Sequence, residues 1–493
     1  MTIEEEYIRL IFGLKLKQIR TEKNLSLFGL SKLTGLSKSY LNEIEKGKKY
    51  PKTDKIISLS EHLSVPYDQL VSTKLDKNLA PIGDILQSKI LKEIPLDLFG
   101  IQERDLIDII ANAPAKVNAF ISTIIEISQQ YNLNRESFFL ASLRSYQEAH
   151  NNFFGELEEK VVKFIEAYQI DTTTKITSKE LESILIEEYD YTINEEELSK
   201  HSELGNLRSV YIPKTKTLLI ANYIDEPQRA FIYAKEIAYN YLNYTERLFT
   251  FSWIKFENFE QVLNNFYASY FAGALLIPRK IITDKLQYFF KQPKLLQKDF
   301  EEIIETFNAS PETLYQRITN ILPKDFQMKN LFFLRFTHKV GTDKYQLKKE
   351  LHITHQQEPR ANEMNEHYCR KWVAIKTLQN FKNNIHQHHF EAQISTYHHS
   401  DNEYLVFSST THDPFKDNYL RSISIGILIT PSLQQKIKFL EQPEITAEVV
   451  GVTCETCALT NCQVRKSPPI HIEQIEKNKT TENIVNQLII KFS

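Results

Sequence analysis

Apolar positions recur at helical spacing along the first part of the chain. Phe12, Leu16 and Ile19 fall on one side of a first helix, and Leu30 and Leu33 mark the buried side of a second. Leu41 and Ile44 do so for a third, and Ile56, Leu59 and Leu63 for a fourth, with Leu70 beginning the exit. Gly35 stands where the second helix must stop, and Gly47 can end the third. Ser37 is placed to cap the third helix. Beyond Val71 the pattern stays helical, with segments at Ile82–Leu91, Leu106–Ala111, Val117–Tyr131 and Glu136–Tyr168. The last carries the stripe Phe139, Leu143, Tyr146, Phe153, Leu157, Val161 and Phe164, which suits either a dimer seam or packing within a domain. From Thr172 the period changes. YTINEEEL, Ser209–Pro213 and Thr217–Ala221 have strand propensity, the last two joined by a turn at Lys214–Lys216. A helix over Pro227–Asn243 follows, its core face formed by Ala234, Ile237, Ala238, Tyr241 and Leu242, and then one over Phe259–Leu276. Phe307–Ile321 holds a helix begun by Ser310 and Pro311. Beyond it come strands at Leu331–Phe336, Phe390–Tyr397, Glu403–Ser408 and Leu420–Ile429, and a helix at Glu363–Asn384. The expected divisions are 8–72, 78–170, 172–345 and 346–493, a mainly α chain with α+β parts and an α/β sensor domain at its end.

With the apolar face of the third helix paired, Lys38, Ser39, Asn42 and Lys46 remain outside as a row of donors. That is the pattern of the recognition helix in a helix-turn-helix, whose N-terminal half enters the major groove. Between Arg9 and Lys52 there are eleven Lys and Arg against three Glu, although the chain as a whole carries −3. Positive charge gathered at one end suits phosphate contact. Ser26, Ser37, Lys38, Ser39, Tyr40, Asn42, Lys46, Lys48 and Lys49 are therefore the expected DNA-binding residues. The Ser37–Lys46 helix would read bases, and Lys48 and Lys49 would meet phosphates. The phrases GLKLKQIR (Gly13–Arg20) and SKSYLNEIEKGKKYP (Ser37–Pro51) resemble the lambda-repressor-like, XRE-type DNA-binding domain. A homodimer is expected, because operators for this motif are two-fold. A small helical module that binds protein is the plainer alternative.

Composition adds boundaries. A chain of 493 residues holds about three or four domains. It opens without a basic-plus-apolar leader, and no apolar run is long enough to span a bilayer, so a soluble, cytoplasmic protein is expected. Four cysteines do not make a disulfide framework. Three of them, Cys454, Cys457 and Cys462, stand in C-x2-C-x4-C, followed by Arg465 and by Pro468 and Pro469. That spacing lets the thiolates turn on one centre, an iron–sulfur cluster or a zinc ion. Cys369 would complete the set if the fold brings it near, with His367 a replacement; free buried thiols are the bland reading. His386, His388, His389, His398 and His399 form a second cluster, in which a zinc site from His388 and His399 competes with a solvated turn. Phosphate loops, dinucleotide fingerprints and nucleophile elbows are missing from the sequence, and no catalytic residue is assigned.

The order of hairpin, helix and FAGALLIP helix (Phe271–Pro278) resembles the ImmA/IrrE metallopeptidase-like domains. In active members the first helix carries His-Glu-x-x-His around zinc. The matching positions here are Lys235, Glu236, Ile237, Ala238 and Tyr239, and the third ligand position is Tyr267. A degenerate zincin-like domain without catalysis, kept as scaffold, is what this implies. Phe307–Ile321, Leu331–Phe336, the Cys369-to-Trp372 spacing and the C-x2-C-x4-C-x2-R ending resemble the short-chain fatty-acyl regulators of the XRE class. That resemblance implies an acyl-CoA effector and a 4Fe–4S cluster on the cysteines, with zinc the alternative. Arg317 and Arg335 are candidates for the effector's phosphates, or for structural ion pairs. The function so implied is a sequence-specific transcriptional regulator, not an enzyme. Its rivals are a metal-dependent peptidase of ImmA/IrrE type and a non-catalytic scaffold or antitoxin-like protein.

Overall fold

The computed structural model describes residues 3–72, 135–205, 207–251, 256–353, 367–381, 389–398, 400, 402–414, 416–442 and 445–492. The helices expected at Ile82–Leu91, Leu106–Ala111 and Val117–Tyr131 lie outside these, as do His386, His388 and His399. The chain forms two compact units, residues 1–142 and 143–493.

In the first unit, α1 (Ile3–Glu22), α2 (Leu27–Thr34), α3 (Lys38–Glu45), α4 (Thr53–Leu63) and α5 (Tyr67–Val71) surround one apolar centre. Phe12, Leu16, Ile19, Leu30, Leu36, Leu41, Ile44, Ile56, Leu59, Leu63 and Leu70 fill it. Leu33 was expected inside and is 46% exposed. The turn after Gly35, at φ +69°, swings Leu36 into the core instead, so the short α2 needs only Leu30 there. Leu70 belongs to the core rather than to an exit.

The expected single helix over Glu136–Tyr168 is two, α6 (Arg135–Ala149), which runs across the division at residue 142, and α7 (Gly155–Tyr168) in the second unit. Asn151 and Asn152 separate them at φ +49° and +52°, a conformation their short amide side chains tolerate. Tyr146, Leu157, Val161 and Phe164 of the stripe are buried, and Phe154 is buried with them. α8 (Ser178–Tyr189) precedes a four-stranded sheet of order β1-β3-β2-β4, made of Thr192–Asn194, Ser209–Ile212, Thr217–Ile220 and Thr250–Phe251. The β2–β3 turn is the one expected, closed by Lys216 in the left-handed region. α9 (Glu226–Tyr241), capped by Asp225, packs between α8 and α10 (Phe259–Leu276). α11 (Arg279–Lys291), α12 (Gln297–Thr306) and α13 (Pro311–Asp325) follow.

A six-stranded sheet completes this unit, in the order β10-β7-β8-β9-β5-β6. Its strands are β5 (Leu331–Lys339), β6 (Tyr345–Ile353), β7 (His389–Tyr397), β8 (Glu403–His412), β9 (Tyr419–Leu428) and β10 (Thr446–Val450). All neighbours are antiparallel except β10 with β7. An alternating α/β domain was expected; the arrangement is α+β, since hairpins and not helices join most strands. The sheet takes in β5 and β6, so it begins before the boundary expected at residue 345. α14 (Val373–Asn380) covers one face, where Phe332, Leu334, Phe336, Trp372, Ile375, Leu378 and Val406 form a core. α12 and α13 cover the other, with Phe300 stacked on Phe390 and the Tyr315 hydroxyl 2.8 Å from Ser409 Oγ. Central strands are thus buried on both sides. The helix expected over Glu363–Asn384 shrinks to α14 within the described residues. Tyr368 instead pairs with Thr453, and the Cys369 N–H donates to the Val452 carbonyl, which holds that stretch extended. α15 (Pro431–Lys436) and a C-terminal helix, α16 (Ile470–Phe492), complete the described elements. No described helix is long and apolar enough to cross a membrane.

Candidate nucleic-acid interface and buried charged centre

α3 is set by contacts at both ends. Ser37 Oγ accepts from the Tyr40 N–H at 3.2 Å, and Ser26 Oγ caps α2 by accepting from the Gly29 N–H at 2.9 Å. Both serines expected to meet DNA therefore also hold helix termini. At its other end Glu45 receives Arg20 through Nε at 2.6 Å and Nη2 at 2.9 Å, while Arg20 Nη1 donates to the Leu25 carbonyl. This pair, shielded from water, ties α1 to α3. α1 lies so close to α3 that a Cβ on Gly13 would sit 2.3 Å from the Ile44 carbonyl oxygen. The result is a rigid α3 with Lys38, Ser39 and Lys46 exposed, and Tyr40 and Asn42 partly so. Lys48 is exposed. Lys49 is exposed too, but its ammonium is 2.7 Å from Glu43 Oε2, whose hydrogen bond and charge raise its pKa. Lys15, one of the basic surplus, points inward to the Gln69 and Ser72 carbonyls.

Of the ImmA/IrrE-like positions, Lys235, Glu236 and Tyr239 are brought together, and charge fills them. Glu236 is buried and takes Arg247 Nη2 at 2.5 Å and the Tyr191 hydroxyl at 3.0 Å. The Arg247 guanidinium lies between two rings, 4.1 Å from that of Tyr239 and 4.3 Å from that of Tyr211. Lys235 Nζ donates to Asn265 Oδ1 at 2.6 Å, and the Tyr239 hydroxyl donates to the same oxygen at 3.3 Å. Tyr267, expected at the third ligand position, instead joins its hydroxyl to that of Tyr146 at 2.7 Å. Asn265, two places earlier, is the α10 residue that meets this centre. Sequence reasoning missed Asn265, Arg247, Tyr191 and Tyr211, because no local spacing links them to Glu236. The Glu236 carboxylate is engaged by an internal guanidinium, and neither flanking motif position, Lys235 or Tyr239, offers an imidazole.

Burial pushes the Lys235 ammonium down to about 7, outweighing the attraction of Glu236, with Arg247, Arg208 and Lys349 lowering it further. The unfolded chain keeps that proton up to about pH 10.4. Between these values the unfolded state binds one proton more than the folded state, so this residue makes stability rise with pH; below pH 7 both hold it and the slope vanishes. Lys235→Met should therefore be more stable than wild type at pH 7, with a smaller gain from pH 7 to 9.5. Urea midpoints at both pH values check this.

The four cysteines, described as thiols, line one cavity with Arg370, Thr453, Leu459, Val464 and Arg465. Cys369 is thus in the same place as Cys454, Cys457 and Cys462. Arg465 fastens the loop through the carbonyls of Cys454, Cys457 and Leu459 at 2.7, 3.0 and 2.6 Å. The Lys466 N–H donates to Cys454 Sγ at 3.4 Å. Gly451 leaves room for Cys457, whose Sγ would be 2.8 Å from any Cβ there. Burial raises the Cys369 thiol. Thiols are a donor type that metal centres use, but among the described residues no three His, Cys, Asp or Glu converge closely enough to hold an ion. His367 is engaged through Nδ1 with Glu455 at 2.8 Å, and His389 through Nε2 with Glu391 at 2.7 Å. Arg317 and Arg335 are both in ion pairs, with Glu158 and Glu312.

Residues 16–70 match the helix-turn-helix family model, and residues 186–319 match that of the IrrE N-terminal-like domain. Both assignments read from the sequence therefore stand: the chain carries an XRE-type helix-turn-helix followed by an IrrE-like domain. Among solved structures, a Mycobacterium tuberculosis transcriptional regulator is similar at 17% identity, over 66% of this chain and 92% of that one, with a TM-score of 0.47. No curated protein matches.

Proposed function

We propose that this chain is a sequence-specific, DNA-binding transcriptional regulator that acts as a homodimer and performs no peptide hydrolysis. The observation that carries the reading is the exposed donor face of a recognition helix fixed by the Arg20–Glu45 pair and the Gly13 contact. Ser39, Asn42 and Lys38 then read base edges, while Lys46 and Lys48 meet phosphates. Lys49 contributes by exchanging Glu43 for a phosphate. Ser26 and Ser37 present backbone N–H groups at helix starts while serving as caps. Against peptidase chemistry stand Lys235, Tyr239 and the Arg247–Glu236 pair.

The effector in this reading is a short-chain fatty-acyl-CoA, which shifts the balance between DNA-competent and incompetent arrangements. Cys454, Cys457, Cys462 and Cys369 hold a 4Fe–4S cluster, which when bound would supply sensitivity to redox state or iron. One anaerobic preparation tests both points. It is expected to contain iron and acid-labile sulfide, and to gain thermal stability with short-chain acyl-CoAs more than with long ones. Zinc without sulfide would replace the cluster by a structural ion. A panel of thioesters that leaves the midpoint unmoved would remove the effector.

A further inference from the structure

α3 carries two carboxylates, and they have different fates. Glu45 is buried and takes the Arg20 guanidinium. Glu43 lies on the other side. Leu41, Ile44 and Glu45 are the buried residues of α3, whereas Ser39, Asn42, Glu43 and Lys46 follow one another at i, i+3, i+4 and i+7 along its outward face. The turn after α3, with Gly47 at φ +65°, folds back so that the Glu43 carbonyl accepts from the Lys48 and Lys49 N–H groups at 2.9 and 3.3 Å. Lys49 Nζ is thereby set 2.7 Å from Glu43 Oε2 and 6.0 Å from the centre of the Tyr40 ring. Both partners keep access to water, with 55% of the Lys49 side chain exposed and 37% of that of Glu43. A pair so exposed contributes little to stability and opens at small cost. A carboxylate on a face that meets DNA repels the phosphate backbone, and so lowers affinity for DNA of any sequence.

We propose that Glu43 is a specificity-determining residue, which accepts a hydrogen bond from the N4 amine of a cytosine in the major groove. The base edges decide which base it takes. Guanine presents N7 and O6 and thymine presents O4, all acceptors that repel a carboxylate. Adenine places the acceptor N7 beside its amine, and cytosine presents the amine alone. α3 has eight residues and is about 12 Å long, so Glu43, one turn beyond Ser39, stays within the groove. On binding, Lys49 leaves Glu43 for a phosphate, and the carboxylate turns to the base. Where no cytosine is there to receive it, the freed carboxylate faces acceptors and the site is rejected. This role for Glu43 rests on the DNA-binding reading of α3. It adds a residue that penalises wrong sites to Ser39 and Asn42, which favour the right one.

The full chain, as wild type, Glu43→Gln and Lys49→Ala, is to be offered random duplex DNA and the retained sequences compared. Wild type should enrich a C·G pair at one position of each half-site, and should bind sites altered there about tenfold more weakly. Glu43→Gln should lose that preference and shift it toward A·T, because an amide pairs with adenine N6 and N7; its affinity for unrelated DNA should rise. Lys49→Ala should enrich the wild-type sequence, with weaker binding and a salt slope reduced by about one. Retained affinity for unrelated DNA shows that each variant is folded. The same base pairs enriched by wild type and Glu43→Gln overturn the role of Glu43, while base reading by Ser39 and Asn42 stands. So does a wild-type site without C·G where the two differ, or loss of the C·G pair in Lys49→Ala, which would make the ion pair a structural unit. A wild-type pool with no enriched sequence removes base reading by α3 altogether, and this role with it.

Discussion

Arg317→Leu should cost the second unit about 3–5 kcal/mol, because it strands a carboxylate in a space closed to water. Arg317 is 1% exposed and grips Glu158 with two nitrogens, at 2.5 and 2.9 Å, while its Nε donates to the Ile277 carbonyl at 3.1 Å. The Tyr270 hydroxyl adds a third donor to Glu158 at 2.7 Å. Three helices, α7, α10 and α13, are joined at this point. Burial alone would raise the Glu158 pKa, but the Arg317 hydrogen bonds and charge prevail and hold it below the ordinary range. The pair therefore gives stability that is present above about pH 4.3 and lost as pH falls through the lower folded value. In Arg317→Leu the sign reverses, since burial then holds Glu158 above its ordinary value and stability falls as pH rises above about 4.3. Glu158→Leu combined with Arg317→Leu should recover much of the loss, as apolar replacements of buried pairs do. Urea denaturation at pH 5 and 7.5 reads all three; a single variant within about 1 kcal/mol of wild type would deny the pair its role.

Gly13→Ala should act on the first unit. The added Cβ meets the Ile44 carbonyl oxygen at 2.3 Å and that of Glu45 at 2.9 Å. Both are main-chain atoms of α3, so relief requires one helix to move. The cost should be about 1–3 kcal/mol, and DNA affinity should fall at least about tenfold because the shifted element carries the donors. Helix content by circular dichroism should change little. Unaltered DNA binding in a folded Gly13→Ala would mean that the placement of α3 is not what binding depends on.

Local signals in the sequence were good guides, and long-range ones were not. Ser37 and Ser310 were legible as caps, and Gly35 as a helix stop, because each works within a few residues of its own position. The α9 stripe was right at Ala234, Ile237 and Ala238, but α9 is buried all along Ile232–Tyr239 and Tyr241 only partly, so its burial exceeds one periodic face. Leu33 misled because a helix of eight residues barely defines a face, and Leu36 beyond its end took the place in the core. The break between α6 and α7 had a signal, the Asn151–Asn152 pair, which the surrounding apolar stripe concealed. β6 and β10 are largely solvent-facing and lack a run of apolar residues. The charged centre could be named at Glu236 from motif spacing, but its partner Arg247 lies eleven residues on and Tyr191 forty-five back. Their meeting is a product of the whole fold. The cysteines show both cases: C-x2-C-x4-C is a local pattern, and the arrival of Cys369 depends on the bridge between Tyr368 and Thr453.

The claim beneath the regulatory reading is that α3 reads bases, and selection from a random pool of duplex DNA tests it. Wild type should enrich one sequence with two-fold related halves. Ser39→Ala combined with Asn42→Ala should keep most salt-dependent affinity and lose the preference at the contacted positions, worth about 1–3 kcal/mol per base pair. A wild-type pool without an enriched sequence, or the same sequence enriched by the double variant, would contradict the account.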